Sequence, residues 1–104
     1  MLIEKCFNDY LNFVSIYRKK GTYNYYSKSF KSLMYVLDIL QIKDTNQIND
    51  DIFDKITKCY LDNTDKKNSQ INSSISVFIT VLNYFSIKYP KRTRLKDDTT
   101  SFTA

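Results

Sequence analysis

The stretch KKNSQINSSISVFITVLNYF, residues 66–85, has two halves of different character. In the second, Ile71, Ile75, Phe78, Ile79, Leu82 and Phe85 recur at helical spacing, the signature of one apolar stripe on an amphipathic helix. The first half carries Lys66 and Lys67, then Asn68, Ser69, Gln70, Asn72, Ser73 and Ser74. Ala, Glu or Lys would form helix better at those places. Asn68 or Ser69 as an N-cap accounts for one of the short polar groups. The remainder form either a solvated face or a surface that another molecule approaches closely.

The same helical spacing runs through the rest of the chain. Ile3, Cys6, Phe7, Tyr10, Phe13, Val14 and Tyr17 make a first stripe, which RKKG (18–21) is expected to close. Cations suit the negative end of a helix, and Gly21 can take the left-handed cap conformation. With Thr22 as candidate N-cap, a second stripe follows in Tyr26, Phe30, Leu33, Met34, Leu37 and Leu40, with Ser27, Lys28, Lys31 and Ser32 on the outer face. Ile42 and Ile48 are expected to tuck the polar connection between them onto the core. Asn49 or Asp50 then caps a third helix burying Ile52, Phe53, Ile56 and Tyr60. The NTDKKNS segment separates it from the fourth, which ends before Pro90. Nothing alternates with period two for long enough to be a strand. The expected fold is all-α, a compact four-helix bundle.

Composition narrows the function. At 104 residues, 42% hydrophobic and 15% aromatic, the chain can build one core but not two. Its single glycine and the absence of histidine exclude a phosphate-cradling glycine-rich loop and a Ser-His or Cys-His nucleophile. Cys6 and Cys59 lie at apolar helical positions and read as buried reduced thiols, with no zinc-ligand spacing. Neither Asp50–Asp51 nor Asp97–Asp98 has further ligands at a defined spacing, so no metal, no cofactor and no catalytic residue is expected. No apolar run approaches the ~20 residues needed to cross a bilayer. Charged Glu4, Lys5 and Asp9 interrupt the place where a signal peptide needs an apolar core, and a cytoplasmic location is expected. A formal charge of +5 makes nucleic acid a plausible partner. Residues 90–104, with Lys91, Arg92, Arg94 and Lys96 ahead of two aspartates, read as a basic linker following a domain at 1–89.

Two stretches match a known pattern. Thr22, Tyr26, Phe30, Leu33 and Leu37 stand at the spacing Thr-x3-Tyr-x3-apolar-x2-apolar-x3-Leu, and SQINSSISVFITVLNYF follows a Ser-x-Ile-Asn motif leading into an apolar-Ser series. In order and combination, over residues 3–89, they resemble the core-binding domain of the tyrosine recombinases, the phage-integrase family. RLKDDTTSFTA is similar to the connector entering that family's catalytic domain.

The resemblance implies a SAM-like helical domain forming half of a clamp on double-stranded DNA. Its second and fourth helices lie toward the major groove, other protomers bind the same DNA, and catalysis belongs to an absent C-terminal domain. The isolated domain is expected to be monomeric. The DNA-facing candidates are then Thr22, Asn24, Lys28 and Lys31 on the second helix, and Lys66, Lys67, Asn68, Ser69, Gln70, Asn72 and Ser73 at the fourth. Short donors let a backbone approach phosphates, and Asn and Gln can pair with adenine. Lys91, Arg92 and Arg94 would follow the DNA backbone. Gln70, Ser73 and Ser74 depart from the Thr and Arg common in the family, which removes a phosphate contact. Two other expectations compete with this one. A protein-binding helical module would show an exposed aromatic patch, for which Tyr23, Tyr25 and Tyr35 are candidates; a helix-turn-helix regulator would need a short glycine-bearing turn.

Overall fold

The structure, a computed structural model, describes residues 1–96. Among them four helices pack around one core: α1 (Ile3–Tyr17), α2 (Lys20–Ile39), α3 (Ile52–Asn63) and α4 (Asn68–Tyr84). A single 3-10 turn, Thr45–Gln47, interrupts the α2–α3 connection. α2 packs against each of the other three helices, and α4 also touches α1 and α3. The chain is therefore organised around the α2–α4 pair.

The apolar stripes are what drive this packing. Ile3, Cys6, Phe7, Tyr10 and Val14 are buried on α1; Phe30, Leu33, Val36 and Leu37 on α2; Ile52, Phe53, Ile56, Cys59 and Tyr60 on α3; Ile71, Ile75, Phe78 and Leu82 on α4. Phe7 lies at the middle, stacked on Phe30 at 4.4 Å between centroids and edge-on to Phe78 at 5.7 Å. Aromatic pairs in these geometries add about 1 kcal/mol beyond the area they bury. Both cysteines are buried free thiols, and burial raises each above its ordinary pKa.

The helix ends differ from the sequence expectation. Arg18 and Lys19 are extended, and α2 has already begun at Lys20, so Gly21 lies in its first turn with an ordinary backbone and Thr22 lies inside the helix. Two extended residues reverse the chain there, and no left-handed residue is needed. The left-handed caps fall instead on Gln41 (φ 58°) and Ser86 (φ 56°). Each is followed by an isoleucine whose N–H returns to a carbonyl five residues back, Ile42 to Leu37 at 2.9 Å and Ile87 to Leu82 at 2.8 Å. This is the Schellman arrangement, with Ile42 buried and Ile87 packed on the core. At α3 the N-cap position is Asp51, not Asn49 or Asp50.

The chain start is tied to the α2–α3 connection. Ile3 N–H donates to Lys43 O and Thr45 N–H to Met1 O, both at 2.9 Å. Gln47 Oε1 accepts from the N–H groups of Lys43 and Asp44, which fixes the loop internally.

Residues 90–96 are not the free linker that composition suggests. They run back along α4, antiparallel to it, with Leu95 packed against the core. The expectation at residues 97–104 lies outside the described residues.

Candidate functional site

Helices α2 and α4 leave between them an open cleft of about 290 Å³. Tyr25, Lys28, Ser29 and Ser32 line it from α2; Ser69, Gln70, Ser73 and Ser74 line it from α4, with Lys66 at the mouth. No acidic side chain is among the lining residues, so the two ammonium groups stand opposite short hydroxyls and an amide with no internal counter-charge. Beneath the floor lies Tyr60 of α3, fully buried, its hydroxyl 2.9 Å from Ser32 Oγ. Burial raises the phenol pKa, while the hydrogen bonds with Ser32 and Ser74 act against that rise. A buried tyrosine needs a partner for its hydroxyl. Ser32, expected on the outer face, is drawn inward to supply one.

The polar opening of α4 resolves into rows. Lys67 occupies the N-cap position, and its N–H donates to Gln70 Oε1 at 2.9 Å. The cap is therefore neither Asn68 nor Ser69, and Gln70 spends its carbonyl oxygen on the helix start. At 3.6 residues per turn, Asn68, Asn72 and Ser76 fall on one side. This is the side that residues 90–96 cover.

Asn72 is buried at 3% exposure, and its amide is doubly paired with the backbone of Leu95. Nδ2 donates to Leu95 O and Oδ1 accepts from Leu95 N–H, both at 2.9 Å. Asn68 Nδ2 donates to Lys96 O at 2.9 Å. Arg92 reaches Ser76 Oγ at 2.7 Å and Asn72 O at 3.0 Å. Its Nε, also buried, finds no partner among the described residues. Burial, with Arg94 adding its charge, holds the Arg92 guanidinium below its ordinary pKa. Asn72 and Arg92, expected to face a ligand, thus have their partners inside the protein. Both are engaged within the protein, because an amide beside an extended chain satisfies an N–H and a C=O together.

The other candidates scatter. Ser69 and Ser73, one position round from the strap-bound row, line the cleft. Lys28 lines the cleft, but Lys31 lines a different depression, between α1 and α2, together with Glu4 and Asp38. The two lysines therefore border different depressions. Asn24 is exposed and Thr22 half-buried near the start of α2. Lys67, Lys91 and Arg94 are exposed, the last two on the strap.

Sequence position also carries a signal that helix-by-helix reading passes over. Residues 10–37 and 66–96 contain no Asp or Glu. They hold Arg18, Lys19, Lys20, Lys28 and Lys31 in the first segment, and Lys66, Lys67, Lys88, Lys91, Arg92, Arg94 and Lys96 in the second. The fold brings these two segments together along α2 and α4, while among the described residues the acids collect on α3, its flanking loops, the first half of α1 and, at Asp38, the last turn of α2.

Fold and site together define an all-helical domain with a cationic, hydroxyl-lined cleft between its two central helices. No family model, curated protein or solved structure matches the chain. Among the described residues, no helix is long and apolar enough to cross a membrane, and no group of three or more His, Cys, Asp or Glu could hold a metal ion.

Proposed function

We propose that this chain is the DNA-binding core domain of a tyrosine recombinase or integrase, holding duplex DNA near the strand-exchange site, with its catalytic residues on a separate domain. The observation that carries this reading is the acid-free cleft between α2 and α4, which brings Lys28 and Lys66 to the same opening as Ser69, Gln70 and Ser73. Phosphate oxygens take charge from the two lysines and hydrogen bonds from the hydroxyls, while the short side chains let the α4 backbone come close. Lys91, Arg94 and Lys96 extend the cationic surface along the strap. Docked as it is, the strap contributes cations in fixed register and Asn72 contributes none of the readout. A protein-binding module built on Tyr23, Tyr25 and Tyr35 has less support, because Tyr25 lines one cleft and Tyr35 another.

The test is duplex binding by fluorescence anisotropy over a salt series. Wild-type affinity should fall steeply as salt rises, because each neutralised phosphate releases counterions. Changing Lys28→Glu with Lys66→Glu should weaken binding by at least about tenfold and flatten the salt slope. Lys31→Glu, in a depression already furnished with Glu4 and Asp38, should cost about threefold or less. Equal effects of the two changes, or no duplex binding at low salt, would remove the cleft from the interface.

A further inference from the structure

A second surface lies at the far end of the bundle, where the C-terminus of α1, the N-terminus of α2 and the C-terminus of α4 meet. Phe13 sits between Tyr17 and Tyr84, with both neighbouring centroids at 5.1 Å. Tyr17 is 65% exposed and Tyr84 47%, so both side chains at the ends of this row reach solvent. The row is anchored from below by Tyr10, 5.1 Å from Tyr84 and itself buried. Arg18 lies over Phe13 at 5.5 Å, and the adjoining Lys19 and Lys20 are exposed. Neither residues 10–37 nor the whole of α4 contributes an acid to this end.

We infer that the Tyr17–Phe13–Tyr84 row, edged by Arg18, Lys19 and Lys20, is a stacking platform for unpaired bases of a single-stranded nucleic acid. Charge complementarity selects this occupant. A strand offers π-faces to the open rings and phosphates to the three cations, and base–aromatic stacking tolerates any sequence. A protein partner would leave that cationic rim unanswered unless it were strongly acidic. A lipid surface would also accept tyrosines and cations, but needs apolar side chains that enter the acyl region, and Ile16 is the one exposed aliphatic residue in the last two turns of α1. The platform is distinct from the cleft, since about 15 Å of helix separates Ser74 from Tyr84. Its ligand does not depend on the duplex reading above.

The experiment compares a labelled twelve-nucleotide oligo-dT strand and a labelled blunt duplex by anisotropy, using the whole chain. Tyr17→Ala with Tyr84→Ala should weaken strand binding about tenfold and leave duplex binding within twofold. Tyr17→Phe with Tyr84→Phe, which keeps the rings, should restore it. Should the alanine pair fail to fold by circular dichroism, Lys19→Glu with Lys20→Glu on the exposed tip should give the same selective loss. Strand binding that follows the Lys28 and Lys66 changes and ignores the rings would overturn the platform while leaving the cleft intact. Capture by phosphatidylserine vesicles, with no strand bound at low salt, would overturn it in favour of a membrane.

Discussion

Two neighbouring rows on the first turns of α4 are built from the same kinds of residue and do different work. Asn68, Asn72 and Ser76 are occupied by residues 92–96, through five hydrogen bonds that hold the strap against the helix. Ser69 and Ser73, one position further round, border the cleft. Both rows are short and polar, but the amides of Asn68 and Asn72 can pair with a backbone N–H and C=O where a serine offers a single hydroxyl. Rotation about the helix axis and the segment of chain that returns there decide the rest. A run of short polar groups on a helix can therefore be an internal docking strip and an outward surface at once.

Breaking the docked row should cost the most. Asn72→Ala strands the Leu95 N–H and C=O and loosens the strap. Two net hydrogen bonds at roughly 1 kcal/mol each, less a partial gain in helix propensity, leave an expected loss of about 1.5 kcal/mol in urea denaturation. The same variant should expose Lys91, Arg92, Arg94 and Lys96 to trypsin, which cuts after Lys and Arg. Wild-type protein should be cut there far more slowly. Unaltered stability and unaltered cleavage would mean that the strap is held by something other than Asn72.

The next change sharpens the contrast between the docked strip and the cleft floor. Tyr60→Phe removes one buried hydroxyl while keeping the ring, and should destabilise by about 1 kcal/mol at pH 7. It should also alter the alkaline limb of the stability profile. Tyr60 has a raised pKa from burial, and Tyr10 is pushed up to about 12, first by burial and then by its hydrogen bond with Tyr26. In the unfolded chain a tyrosine ionises near 10. Their contribution is thus fully present below pH ~10 and is lost as pH rises through the folded values, since the unfolded state gives up its protons first. Denaturation midpoints at pH 7 and 11 should show a smaller alkaline loss in Tyr60→Phe than in the wild type. Absorbance titration should show a tyrosine population ionising above the rest.

Much of this arrangement was open to reading from residue spacing, because burial imposes a period that the sequence must carry. Phe30, Leu33 and Leu37 on α2, and Ile71, Ile75, Phe78 and Leu82 on α4, are buried where the stripes put them. The helix ends were less legible. Gly21 is the obvious left-handed residue, yet the conformation falls on Gln41 and Ser86, whose types merely tolerate it and advertise nothing. The strap was hidden for a different reason. Asn72 pairs with backbone atoms of Leu95, and a backbone partner leaves no residue signature. Likewise Lys28 and Lys31 share a spacing that fits one face, but α1 packs beside the second lysine and assigns it to another depression. The acid-free segments 10–37 and 66–96 are plainly present in the sequence, but a net charge for the whole chain averages them away.

The smallest effect on stability is expected in the serine row. Ser69→Ala with Ser73→Ala removes two hydroxyls from the unoccupied row while replacing serine by a better helix former. Stability should stay level or rise by less than about 1 kcal/mol, in contrast to Asn72→Ala one position away. Duplex affinity should nevertheless fall, by a few-fold, if those hydroxyls donate to phosphate oxygens. A fall in stability comparable to that of Asn72→Ala would show the two rows to be one structural unit, and the outward surface would then shrink to Lys28, Lys66 and the strap cations. A variant that keeps full stability and full duplex affinity would keep the rows distinct but strip the serines of any share in binding, leaving the cleft's attraction to charge alone.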